Sequence, residues 1–155
     1  MRNRRTAKGG ALLAVALALC ATAPAGAQPA TTLEIHVRNV SPKGGIMRLG
    51  LYDAAGYPDD KGPVAAADVP ATRGETVITL RNLVPGTYAI EAYQDVNSND
   101  RMDKSWIGLP LEPYGFSRDA RPVLSKPAFD RVKFTVAPGA NVQVLRLQNS
   151  DAPGE

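Results

Sequence analysis

Val77-Ile78-Thr79-Leu80-Arg81-Asn82-Leu83-Val84-Pro85-Gly86-Thr87-Tyr88-Ala89-Ile90-Glu91-Ala92-Tyr93 is the stretch that decides the fold. Ile78 and Leu80 fall on one side of an extended chain, with Val77, Thr79 and Arg81 on the other. After Pro85-Gly86, Tyr88, Ile90 and Ala92 share one side, and Thr87, Ala89, Glu91 and Tyr93 the other. Side chains of a strand point alternately to its two faces, so a period of two predicts two half-buried strands. Pro85-Gly86 predicts a type II turn, Pro fixing one φ and Gly supplying the positive one.

The same period extends outward. Leu33, Ile35 and Val37 alternate with Glu34, His36 and Arg38. Ser41-Pro42-Lys43-Gly44-Gly45 reads as a turn. Met47, Leu49 and Leu51 follow, and these two runs predict a first hairpin. A short edge strand is expected over Val64 to Val69. Val132, Phe134 and Val136 predict a penultimate strand, Pro138-Gly139 a turn, and Val142 to Leu147 a closing strand. In that last run Val142, Val144, Leu145 and Leu147 break the alternation, which predicts a bulge or burial on both faces. No stretch of the chain beyond residue 28 keeps a 3.6-residue apolar period for three turns. The fold class expected is all-β, an antiparallel immunoglobulin- or prealbumin-like β-sandwich of six or seven strands. One long connection, residues 94 to 128, interrupts it. A connection of that length inside a compact domain is either functional or a sign of a wrong assignment.

The first thirty residues read differently. Arg2, Arg4, Arg5 and Lys8 precede an uninterrupted apolar run from Ala11 to Ala21, and Ala25-Gly26-Ala27 precedes Gln28. A basic start, an apolar centre and a small-residue cleavage site make a secretory signal peptide over residues 1–27, cleaved after Ala27. The apolar run is shorter than the roughly 20 residues of a membrane span, so no integral membrane segment is expected after cleavage. Cys20 offers a lipoprotein as the competing reading, but Leu19 before it is large where a small residue is usual. The expected organisation is a single β-sandwich over 28–150 and a disordered tail over 151–155, in an exported protein.

Of 18 basic residues, the four in the leader leave 14 against 15 acidic ones. That near-neutral balance gives no electrostatic reason to expect nucleic acid. The one cysteine excludes an intrachain disulfide and a cysteine zinc site.

The long connection opens Asp95-Val96-Asn97-Ser98-Asn99-Asp100-Arg101-Met102-Asp103. Oxygen side chains stand at relative positions one, three, five and nine, as at the start of an EF-hand calcium loop. Ca²⁺ is a hard cation that takes six to eight oxygens at about 2.3–2.6 Å. Asp95 and Asp103 would supply carboxylates, Asn97 and Asn99 amide oxygens, and Arg101 its backbone carbonyl. Two positions depart from that pattern. Asp100 stands where Gly makes the sharp turn, and Trp106 where a bidentate Glu closes the site; Glu112 is the nearest replacement. With two loop carboxylates and with Arg101 and Lys104 nearby, the expected affinity is weak, about 10⁻⁴ to 10⁻³ M. The competing reading is a loop of Asx-turns that binds nothing.

Leu83-Val84-Pro85-Gly86-Thr87-Tyr88-Ala89, Asp95-Val96-Asn97-Ser98-Asn99, Asp103, and Gly108-Leu109-Pro110-Leu111-Glu112-Pro113-Tyr114-Gly115-Phe116-Ser117 occur in that order. The series resembles the bacterial exported family called domain of unknown function 2141, over roughly Leu33 to Gln148. The Pro-Gly-x-Tyr strand start also resembles prealbumin-like modules such as carboxypeptidase regulatory domains. The resemblance implies export, to the periplasm or beyond it as a secreted protein, a β-sandwich and the Asp/Asn loop as a family feature. The reading expected for the whole is a module whose loop, ordered by Ca²⁺, meets an unidentified envelope or extracellular partner. Gln94 stands where the family often has His, and Asp100 where it often has Gly.

Other residues carry less. His36 is the only histidine, faces away from the expected core and has no Gly-x-Ser-x-Gly elbow to serve, so no enzyme is expected. Ser117 reads as a turn cap. Trp106, Tyr114 and Phe116 flank the loop. Together with Tyr93 they support the alternative, a metal-free module that binds a glycan or peptide through aromatic loop residues.

Overall fold

The computed structural model describes residues 30–57, 61–123 and 125–149. The expected leader over 1–27 and the tail over 151–155 lie outside the described residues. Eight strands follow in order: β1 (Thr31–Val40), β2 (Ile46–Tyr52), β3 (Ala65–Pro70), β4 (Gly74–Leu83), β5 (Gly86–Asp95), β6 (Tyr114–Phe116), β7 (Phe134–Val136) and β8 (Ala140–Arg146). They form two sheets. One runs β4-β1-β8; the other runs β3-β2-β5-β6, with β7 added along the start of β5. The all-β sandwich expected from the alternation is the fold.

The core lies between the sheets. Leu33, Ile35 and Val37 of β1 and Ile78 and Leu80 of β4 face Met47, Leu49 and Leu51 of β2 and Tyr88, Ile90 and Ala92 of β5. These are the inward residues that the period of two selects. On β5 the opposite face is covered too. Ala89 is buried with Tyr57, Ala120 and Val132, and Phe116 and Phe129 pack against them.

Four details of the expected topology are corrected. First, β1 and β2 make no hairpin: β1 pairs with β4 and β8, β2 with β3 and β5, and residues 41–45 carry the chain from one sheet to the other. Gln94 holds that crossover. It is fully buried, accepts from the Ser41 N–H at 2.8 Å, and donates to the carbonyls of Ser41 and Gly44. Second, Pro85-Gly86 also crosses between sheets. Gly86 begins β5 without a positive φ; the left-handed residue there is Asn82, at φ 56°. Third, Val132 ends a single turn of helix, α1 (Phe129–Val132), so the strand starts at Phe134. Fourth, β8 keeps strict alternation. Leu145 is buried, and Val142 and Val144 are exposed on the outer face, so neither a bulge nor two-sided burial is needed. Polar Asn141 and Gln143 occupy the inward positions before Leu145 and hid the pattern. Moreover, β8 runs parallel to β1, whereas the other strand pairs are antiparallel. Pro138-Gly139 does turn the chain, with Gly139 at φ 92°.

Residues 94–128 are not one unstructured connection. β5 extends through Asp95, β6 pairs with it again at Tyr114–Phe116, and a 3-10 turn occupies Ser117–Asp119. The loop that remains spans residues 96–113, and both of its ends belong to neighbouring strands.

Candidate metal-binding loop

Asp95 is the last residue of β5 and is fully buried. Its Oδ1 accepts from the Asn99 N–H at 3.0 Å and its Oδ2 from the Asp100 N–H at 2.9 Å, so the carboxylate curls the chain back on itself. The curl continues by the same device. Asn97 Oδ1 accepts from the Asn99 N–H at 3.3 Å, and Asn99 Oδ1 from the Arg101 N–H at 3.2 Å. These are successive Asx-turns, which Asp and Asn form because a short side chain reaches the N–H two residues on. Ser98 and Asp100 take the left-handed conformation, at φ 57° and 67°. Asp100 thus adopts the turn for which Gly was expected, at the strain cost of a side chain in that region.

The far side of the curl is Asp103. Its carboxylate accepts from the amide nitrogens of Asn97 at 2.7 Å and Asn99 at 3.0 Å, and Arg101 lies 3.6 Å from it. Glu112 is buried just before β6 and reaches both ends of the loop. Its Oε1 accepts from the Val96 N–H at 2.8 Å and its Oε2 from the Asp103 N–H at 3.1 Å. The structure therefore brings all six expected residues, Asp95, Asn97, Asn99, Arg101, Asp103 and Glu112, into one hydrogen-bonded unit. Among the described residues no three His, Cys, Asp or Glu side chains are gathered as a metal site by themselves, so amide and backbone oxygens would have to complete any coordination shell.

Sequence reasoning missed Arg48. The β2–β5 register sets it beside the loop's origin, pairing Arg48 with Tyr93 and Ile46 with Asp95. Its Nε donates to Asp95 Oδ2 at 2.8 Å, one terminal nitrogen to Asp68 at 2.9 Å, and the other to Asp100. A signal was available, a lone Arg on the outward face of a strand, but its partners depend on the pairing. Burial pushes the Asp95 carboxyl up, while Arg48 and the N–H groups of Asn99 and Asp100 outweigh it and hold the carboxyl below the usual range. The amides of Asn99 and Asn97, with Arg101, hold the Asp103 carboxyl down likewise.

Chemically, spare lone pairs decide what this unit can do. A carboxylate offers about four acceptor sites and an amide oxygen two. Asp95 has three in use and one left on Oδ1. Asn97 and Asn99 each keep one on Oδ1, and Glu112 one on each oxygen.

The aromatic candidates are separated. Tyr114 and Phe116 stack edge to face, ring centroids 6.2 Å apart, and Tyr93 pairs with Tyr114 across the sheet. These three, with Glu91 and Lys126, border a cleft of about 480 Å³. Trp106 stands apart, 97% exposed. Ser117 caps no turn; its buried hydroxyl accepts from the Ile90 N–H and donates to the Val132 carbonyl.

Residues 35–144 match the family described as "Uncharacterized protein conserved in bacteria (DUF2141)". No curated protein and no solved structure matches the chain.

Proposed function

The chain belongs to that bacterial family, and from this premise we propose that it is an exported, non-enzymatic, prealbumin-like β-sandwich whose Asp/Asn loop takes one Ca²⁺ as a structural cofactor. The ion orders residues 95–112 and shapes a surface for another component of the envelope. Export is supported by the basic, apolar and small-residue pattern of residues 1–27 and by the lack of any Cys after Cys20.

The observation that carries the calcium reading is Glu112. A carboxylate nine residues beyond Asp103 returns to bind both ends of the Asx-turn ladder, in the role left open by Trp106. The non-enzymatic reading is supported by the two groups best suited to catalysis. Both ring nitrogens of His36 face carboxylates, Glu34 at 2.9 Å and Glu75 at 3.1 Å, and the Ser117 hydroxyl is buried and engaged.

The test is thermal unfolding against Ca²⁺ and Mg²⁺. At about 10 mM Ca²⁺ and the expected affinity, stabilisation is about 1.4–2.7 kcal/mol, a rise of several degrees. Asp103→Ala should abolish the rise, and Mg²⁺, which demands tighter octahedral geometry, should not reproduce it. An unchanged midpoint across the titration overturns the metal reading. It would leave the second reading, binding of a glycan or peptide at the cleft of Tyr93, Tyr114 and Phe116, which is favoured by the three aromatic side chains that line this cleft together with Lys126.

A further inference from the structure

Asp103 and Leu111 close a small hairpin whose tip is apolar. The Leu111 N–H donates to the Asp103 carbonyl at 2.8 Å, and Lys104 bridges to Pro110. Beyond that neck stand Trp106, Ile107 and Leu109, exposed by 97%, 57% and 59%, with Leu111 at 61%. Four large apolar side chains on one short projection are an interaction surface rather than scattered exposure.

We infer that this tip inserts into the interface of an anionic lipid bilayer. Three observations favour lipid over a protein groove. The first is backbone satisfaction. The Ser105 N–H donates to the Leu109 carbonyl, Gly108 N–H to the Ser105 carbonyl, and Leu109 N–H to the Ser105 hydroxyl, and Pro110 has no N–H. These bonds satisfy three of the five N–H groups between Ser105 and Pro110, leaving those of Trp106 and Ile107 at the apex, and so remove part of the cost of leaving water that a bilayer imposes. The second is composition: a Trp with aliphatic neighbours suits the boundary between headgroups and acyl chains. The third is charge. Arg101 and Lys104 are exposed at the neck, and Arg121 borders the cavity beside Leu109. The loop's own acids are paired, Asp100 with Arg48 although its side chain is 82% exposed, and Asp103 with the two asparagines. The inference rests on the reading of this loop as the recognition element. A bound Ca²⁺ would add positive charge at the base of the tip, so binding to anionic lipid rises with calcium.

Trp106 is the only tryptophan, so its emission reports on the tip alone. The purified protein is mixed with vesicles of phosphatidylethanolamine and phosphatidylglycerol, with vesicles of phosphatidylcholine alone, and with brominated-chain versions of each. Each mixture is made in Ca²⁺ and in chelator. The expected result is a blue shift and bromine quenching with the anionic vesicles, stronger in Ca²⁺. Leu109→Ser, which keeps the reporter, should weaken partitioning by about tenfold, the worth of withdrawing one large aliphatic side chain. Unshifted emission in every mixture overturns the inference and leaves a protein groove as the tip's occupant. Vesicle binding undiminished by Leu109→Ser overturns it as well, since the basic residues would then suffice. The calcium reading fails separately: a lipid response identical in Ca²⁺ and chelator, with no thermal shift, removes the ion and keeps the tip.

Discussion

From Asp95 to Asp103 nearly every polar side chain is bonded to the loop's own backbone, to a neighbouring side chain or to β2. From Trp106 to Leu111 the large side chains face solvent. The two regions are adjacent in sequence and built on opposite principles. The base gains its shape from satisfied polar groups and is anchored to the sandwich through Arg48 and Glu112. The tip contributes almost nothing to the fold that carries it. Changes at the base should therefore register as stability, and changes at the tip as binding.

The strongest way to break the base is not at a candidate ligand but beneath it. Gly45 lies at φ 88°, and a Cβ there would sit 2.1 Å from the Asp95 carbonyl oxygen and 2.7 Å from the Val96 Cα. Those are backbone atoms at the start of the loop, so no side chain can swing away. Gly45→Ala should cost at least about 3 kcal/mol in chemical denaturation and abolish any calcium response. A loss under about 1 kcal/mol would mean that the junction of β2 and β5 yields, and that the base is less fixed than its hydrogen bonds imply.

Asp95→Ala should come next, at about 2 kcal/mol or more, because it strips the acceptor from two N–H groups and from Arg48 in a site closed to water. Its size depends on pH. The folded-state pKa of Asp95 lies below the ordinary 3.8, so its stabilisation is present above that value and is lost as pH falls through the lowered one. Asp103 titrates in the same sense. The gap between wild type and Asp95→Ala should be full at neutral pH and close progressively below about pH 4. A gap that persists into strong acid would show that the carboxylate charge is not what the base uses.

How much of this could be read from the chain follows the same division. Alternation revealed the inward faces of β1, β2, β4 and β5, because each is amphipathic by itself. It could not reveal which strands pair, and so the hairpin expected between β1 and β2 is a crossover. The spacing of Asp95, Asn97, Asn99 and Asp103 exposed the base, since Asx-turns are local. The partnership of Arg48 and Asp68 with the loop could not be read, for both reach the site only through the registers of β2 with β5 and β3. Gln94 drew notice as a departure from the family pattern, but its role in holding Ser41 and Gly44 is again a tertiary contact. In β8, polar Asn141 and Gln143 sit inward while Val142 and Val144 sit outward, so hydrophobicity misled. Asn141 stands inward because it serves the turn before it, accepting from the Ala137 N–H and donating to the Ala137 and Gly139 carbonyls.

The smallest expected effect is the one that sharpens the comparison most. Trp106→Ala should change the unfolding free energy by no more than about 0.5 kcal/mol, because a side chain 97% exposed loses little by being shortened, and Leu109→Ser, at 59% exposed, by no more than about 1 kcal/mol. An apolar residue that adds nothing to the fold carries a solubility cost without a stability return, and that asymmetry is what assigns the tip to binding. If either substitution instead destabilises the protein by more than about 1 kcal/mol, the tip must pack against something in solution. It would then belong to the fold, and the division between base and tip would have to be redrawn at Ser105.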